Sequence, residues 1–114
     1  RDVVEKIAKK YNVKIDLDIR KGYPALFNDE KITKKHILNA KKYLGTENVV
    51  ELPVRMTAED FSYFANKVPS CFYRIGVGNP SAKYNYGLHT SKFNIEESSL
   101  KIGMGLMAYL TISS

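Results

Sequence analysis

The first twenty residues change from one hydrophobic period to another. Apolar side chains recur three and four positions apart over residues 3–11, the spacing of one face of an α-helix. Asn12 is placed to end that helix. Residues 13–19 then alternate strictly between apolar and charged side chains. Because successive strand residues point to opposite faces, this alternation predicts a strand with one wet face, as in an antiparallel sheet covered by helices on one side.

The rest of the chain is predicted to alternate helices with buried strands. A helix over about 30–44 is followed by Gly45 and the run NVVELP. A second helix begins with Thr57 and Asp60 and ends at Pro69. The run CFYRIGVGN and a helix over about 96–111 follow. Runs that are apolar on both faces are typical of strands inside a sheet sandwiched by helices. The order predicts an α/β fold. A loop of about 18 residues, 78–95, precedes the last helix, and loops of that length are often functional.

The last helix contains a glycine motif that permits two interpretations. The sequence GMGLMA matches the Gly-x-Gly-x-x-Ala pattern of dinucleotide sites, but such a site needs the pattern directly after a strand, where a helix starts. Inside a helix, Gly103 and Gly105 instead indicate close packing against a neighbour. The apolar side chains expected on the buried stripe of this helix are Leu100, Met104, Met107, Ala108 and Leu110.

Two buried strands alone would leave long, unpaired sheet edges. We therefore expect the other strands to lie in sequence upstream of residue 1. The first residues, RDVVEKIAKK, lack an initiator methionine, and their charges interrupt any apolar core of a signal peptide. Both observations predict that the chain is a piece of a longer protein.

Composition changes this picture little. The 114 residues suit one domain and carry a net charge of +6, but the lysines occur in pairs among acidic residues and form no block of five. A solvated surface is favoured over a nucleic-acid site, and no apolar run approaches the roughly 20 residues of a membrane span. The single cysteine, Cys71, excludes an internal disulfide, suits a reducing compartment and is expected to be a buried, inert thiol rather than a nucleophile.

Three residues are candidates for chemistry on sequence grounds. His36 lies in a lysine-rich helix without a ligand-type side chain four residues on, so a surface or boundary histidine is expected. His89 follows a buried strand, where ligands gather in α/β sheets, and both a metal ligand and an ordinary loop residue remain open. Glu59 is either a functional carboxylate or part of a helix start, whereas capping is favoured for its neighbour Asp60.

Several motifs together resemble one known group of enzymes. They are MTAEDFSYFANKVPSCFYRIGVGN, then GLHTSKFNIEE, then LKIGMGLMAYL. In this order they resemble the C-terminal signature of the aminoacylase and hippurate hydrolase group of dinuclear metallopeptidases, which includes N-acyl-amino-acid amidohydrolases and N-acetyldiaminopimelate deacetylases. With the helix before them the motifs cover residues 29–114, and YPALFND resembles the return from the group's lid domain into its catalytic domain.

The resemblance implies a fold and a division of the chain. Residues 1–27 would be the last helix and strand of a ferredoxin-like lid, which often mediates dimers. Residues 28–114 would be the C-terminal segment of a three-layer α/β catalytic domain. A cytoplasmic homodimer is expected for the full-length protein.

The resemblance also implies an activity and a site. His89 occupies the place of a metal ligand, and the full-length enzyme is expected to hold two Zn or Mn ions. The other ligands and the general base would lie upstream, so the fragment alone is expected to be inactive, and Cys71 is not the group's ligand cysteine. Glu59, Gly78 and Asn79 are weaker candidates for substrate binding, with capping and backbone geometry as equal alternatives.

The expected substrate is an N-acyl amino acid or peptide, whose acyl amide is cleaved by metal-activated water; neither nucleic acid nor membrane is an expected partner. The competing prediction is a non-enzymatic basic α/β module that binds a partner or nucleic acid. Salt-dependent binding of polyanions would favour that alternative.

Overall fold

The computed structural model describes residues 1–78 and 86–113, and all regular structure in these ranges is helical. The elements are α1 (Asp2–Tyr11), α2 (Glu30–Leu44), a 3-10 turn (Thr46–Asn48), α3 (Ser62–Ala65) and α4 (Ser98–Ile112). The first, second and last predicted helices are confirmed to within two residues. No helix in the described part of the chain is both long and apolar enough to cross a bilayer.

The predicted strands are not confirmed as strands. No residue in 1–78 or 86–113 belongs to a β-ladder. Residues 13–19 are non-helical, and their apolar and charged side chains are all exposed. The alternation identifies the face that a sheet would bury, but a strand forms only when a neighbouring strand satisfies its backbone groups. The α/β layering is therefore not confirmed.

The chain is extended rather than compact. Its radius of gyration is 20.8 Å, whereas a compact chain of this length would have a value of about 13 Å. Helix α1 packs against no other element of the described chain. The only large apolar side chains buried in the described ranges are Leu106 and Leu110. Most apolar surface thus remains available for burial against other protein.

Local sequence signals explain where the helices begin and end. Asp29 caps α2 because its Oδ1 accepts a hydrogen bond of 2.8 Å from the Ile32 N–H. Gly45 ends α2 with a positive φ of 92°, which glycine adopts readily. Asn12 ends α1 in the left-handed region, with φ 50°.

Helices α2 and α4 form the main packed unit. Leu106 and Leu110 are buried on α4, and Tyr43 of α2 stacks on Tyr109 with ring centroids 5.1 Å apart. A Cβ at Gly105 would lie 3.1 Å from Tyr43 Cζ and closer still to the Tyr43 hydroxyl. The close packing predicted for this glycine is confirmed.

The predicted buried stripe of α4 is wrong at four positions, because Ala108 is exposed along with three longer side chains. Leu100, Met104 and Met107 are 52%, 68% and 62% exposed, whereas Leu106, which was not expected in the stripe, is buried. The helix is apolar around most of its circumference, so its periodicity does not select a face.

The apolar run 70–77 lies between the starts of α2 and α4. The side-chain amide of Asn28 donates to the Phe72 carbonyl at 2.9 Å and accepts from the Phe72 N–H at 2.7 Å. The Asp29 N–H donates to the Ser70 carbonyl, and the Glu96 N–H donates to the Val77 carbonyl, both at 2.8 Å. This run is therefore held at both ends.

The Tyr73 hydroxyl is buried without a hydrogen-bond partner in the described ranges. Burial raises the pKa of this hydroxyl above its usual value of 10.0, and the negative charge of the nearby Cys71 thiolate raises it further. The folded state thus favours the neutral phenol. Its stabilising contribution is complete below pH 10.0 and is lost as the pH rises through the raised pKa.

We expect Tyr73→Phe to reduce the fall in stability above about pH 10, because it removes the group whose ionisation the fold opposes. The measurement is the thermal unfolding midpoint of the whole protein against pH, for wild type and variant. Tyr63→Phe is the control, since Tyr63 is 54% exposed. An alkaline fall of equal size in wild type and Tyr73→Phe would contradict the assignment.

Candidate metal site

His89 lies at the centre of a tight turn that spans residues 88–92. The Thr90 hydroxyl donates to the Gly87 carbonyl at 2.9 Å, and the Phe93 N–H donates to the Thr90 carbonyl at 3.1 Å. The imidazole is exposed and has no hydrogen-bond partner within the described residues. Both ring nitrogens are therefore available to bind a ligand.

The backbone of His89 is in the left-handed region, with φ 64°. This conformation costs a residue with a side chain about 1–2 kcal/mol, although histidine tolerates it better than most. Such outliers cluster at functional sites, where the strain positions a side chain. The turn thus holds His89 in a backbone conformation that few residues other than glycine adopt, and its role as a metal ligand stays a prediction.

The loop that carries His89 leaves and returns at one end of the 70–77 run. Gly78 directly follows Val77, whose carbonyl accepts the Glu96 N–H at the point where the loop ends. Gly78 is exposed at this loop base. Asn79, the other predicted residue here, lies outside the described residues.

Glu59 helps to start α3. One of its carboxylate oxygens accepts a 3.3 Å hydrogen bond from the Phe61 N–H, and the residue is half-buried. The predicted Thr57–Asp60 capping pair is wrong, because α3 begins only at Ser62 and has no side-chain bond at its N-cap. The helix start is beyond the reach of Thr57. A substrate role for Glu59 stays a prediction.

His89 is the only predicted metal ligand of the chain. In residues 1–78 and 86–113 no group of three or more His, Cys, Asp and Glu side chains could hold a metal ion. A single exposed imidazole fits one position of a divalent-metal site, which needs further donors.

A second cluster of chemically active side chains was not predicted. A cavity of about 750 Å³ is lined by Asp29, Lys31, Ile32, Lys35, His36, Pro69, Ser70 and Cys71. It brings His36 and Cys71 to one cleft, although they are distant in sequence. Hydrogen bonds of Asn28 and Asp29 with Phe72 and Ser70 hold the two segments together, and no spacing in the sequence signals this contact. His36 is a boundary residue, as expected, and Cys71 is half-buried rather than fully buried.

Comparison with known protein families places this chain among peptidase sequences. More particularly, the chain belongs to peptidase family M20/M25/M40, whose family model matches residues 3–113. The predicted resemblance to this metallopeptidase group is thereby confirmed.

Three similar proteins come from bacteria. The chain is 38% identical to an N-acetyldiaminopimelate deacetylase of Lactobacillus acidophilus over 91% of its own length and 26% of that protein. It is 33% identical to an uncharacterised hydrolase of Staphylococcus saprophyticus, over 86% of the chain and 25% of that protein. An N-acetyldiaminopimelate deacetylase of Lactobacillus helveticus is 32% identical, with 91% and 26% covered. The chain thus spans about a quarter of these relatives, and no solved structure matches it significantly.

Proposed function

We propose that the whole protein is a metal-dependent amidohydrolase that cleaves the acyl amide of N-acyl amino acids, with His89 as one metal ligand. The observation that carries this proposal is the exposed imidazole on a left-handed turn, in a chain of the M20/M25/M40 family. Family membership also favours an enzyme over the non-enzymatic basic module.

The relatives narrow the substrate class. Two of the similar proteins are named N-acetyldiaminopimelate deacetylases. An amino acid with an acetylated amine is therefore the first substrate to test. Hippurate-type substrates, with a larger aromatic acyl group, remain within the same proposal.

His89 would hold a divalent ion through a neutral ring nitrogen, and its turn would limit the orientation of the ring. Two Zn or Mn ions are proposed for the whole protein. A bound divalent ion polarises an amide carbonyl and lowers the pKa of water. The Thr90 hydrogen bond to Gly87 would keep the turn closed while the imidazole binds.

Gly78 and Asn79 are proposed to shape the substrate pocket from the base of the loop. Gly78 presents no side chain, so a substrate could approach its backbone closely. Glu59 is proposed to shape the pocket together with them. Its bond to the Phe61 N–H would hold its carboxylate in place.

The proposed domain arrangement places residues 1–27 in a lid that supports a homodimer and residues 28–114 in the catalytic domain. The exposed apolar side chains of 13–19 and 49–56 support it, because Val54 and Met56 are 93% and 98% exposed and would be covered in a completed α/β layer. A cytoplasmic location is proposed, and the free thiol of Cys71 is consistent with it.

We expect a chelator to lower the release of amino acid from an N-acetylated substrate by at least about 100-fold, because metal activation is the proposed source of the nucleophile. The assay uses the whole protein and measures the freed amine. Addition of Zn or Mn after removal of the chelator should restore turnover. Full activity of a protein verified to be metal-free would contradict the proposal.

A further inference from the structure

The cleft between the start of α2 and residues 69–71 has the composition of a small-ligand site. Its volume of about 750 Å³ lies within the roughly 300–1,000 Å³ common for such sites. Ile32 and Pro69 provide apolar wall, while Lys31, Lys35 and His36 provide polar groups.

The charge of the cleft favours an anion. Lys31 and Lys35 lie one helical turn apart, and neither makes an ion pair within the described residues. Lys34, between them, is paired with Glu30. The Asp29 carboxylate is already engaged, since its Oδ1 accepts the Ile32 N–H. Two lysines and one carboxylate that caps its own helix therefore line the cleft, which leaves an excess of one positive charge.

The cleft also contains a buried polar atom that lacks a partner. His36 Nδ1 is inaccessible and has no hydrogen bond within the described part of the chain. Buried polar atoms are normally satisfied by protein, water or a ligand. Because this nitrogen is inaccessible, the His36 ring would have to turn toward the cleft before a bound ligand could satisfy it.

We propose that this cleft binds a small carboxylate anion, with Lys31 and Lys35 supplying the charge and Cys71 lying in its wall. The inference goes beyond the proposed function, since none of the lining residues is among those proposed for metal or substrate binding.

Selective alkylation of Cys71 in the whole protein tests the proposal with a carboxylate probe. Iodoacetate and iodoacetamide react alike: the thiolate sulfur forms a bond to the probe's methylene carbon, and iodide leaves with its electron pair. Only iodoacetate is an anion. Mass analysis of the peptide that contains Cys71 gives both rate constants, and their ratio is compared with the ratio for the unfolded protein.

We expect the iodoacetate-to-iodoacetamide ratio to be about two- to fivefold higher in the folded protein, because two lysines line the same wet cleft as Cys71. Lys31→Gln/Lys35→Gln should return the ratio to the unfolded value. The matched control, Lys41→Gln/Lys42→Gln, removes the same charge from the last turn of α2, away from the cleft. It should preserve the ratio.

Three outcomes would overturn the proposal. They are an equal ratio in folded and unfolded protein, an equal loss of the ratio in both double variants, and a folded protein in which Cys71 does not react with either probe. The last outcome would mean that the cleft is closed. Activity is not the readout, so failure here is distinguishable from failure of the proposed function.

Discussion

Replacing His89 with alanine is expected to lower amidohydrolase activity and metal affinity of the whole protein by at least about 100-fold. The reason is the loss of one donor from a site that needs several. Metal content after dialysis and the rate of amine release measure the two effects separately. Ser91→Ala is the matched control, because Ser91 lies in the same turn and is exposed. It should retain both properties.

His89→Gly separates loss of the ligand from loss of folding. Glycine adopts the left-handed conformation without strain. The free energy of unfolding of the metal-free variant should therefore equal that of the wild type or exceed it by up to about 1 kcal/mol. It should still lose metal and activity. A His89→Gly protein that keeps wild-type metal content and turnover would show that the ligand assignment is wrong.

Gly105→Ala is expected to lower the free energy of unfolding by about 1–2 kcal/mol, despite the better helix propensity of alanine. The new Cβ would meet the Tyr43 side chain, whose ring is already stacked on Tyr109. Tyr43 would have to swing outward and lose that stacking. Denaturant unfolding of the whole protein measures the change.

Gly103→Ala is the matched control in the same helix. The nearest atom to its added Cβ is Ile75 Cγ1 at 3.7 Å, an ordinary contact. This variant should therefore gain about 0.5–1 kcal/mol from helix propensity. In a Tyr43→Phe background, which lacks the hydroxyl, the cost of Gly105→Ala should shrink. An unchanged cost would mean that Tyr43 is not the obstacle.

The helices could be predicted from the sequence because their signals are local. Asn12, Asp29 and Gly45 act within a few residues of the helix ends that they define. Pairing of 13–19 could not be predicted from its alternation, because the partner of a strand is specified elsewhere. The buried face of α4 was also undetermined, since apolar residues lie around most of the helix.

The candidate site also combines features that could be predicted from the sequence with features that could not. Spacing alone left His89 open, and its assignment came from resemblance; the left-handed backbone was not foreseeable from either source. The meeting of His36 and Cys71 depends on hydrogen bonds between distant residues, which join Asn28 and Asp29 to Phe72 and Ser70. Such long-range contacts leave no periodic trace in a sequence.

The hydrogen bond between Val77 and Glu96 allows the loop to change in sequence without moving the helix that follows it. With both ends of the loop fixed at one point, substitutions or length changes between them need not shift the register of α4. Selection could thus vary the loop residues while the packed helix pair stays intact. Under the proposed function, libraries that diversify this loop and conserve His89 and the two anchors are a route to altered acyl specificity.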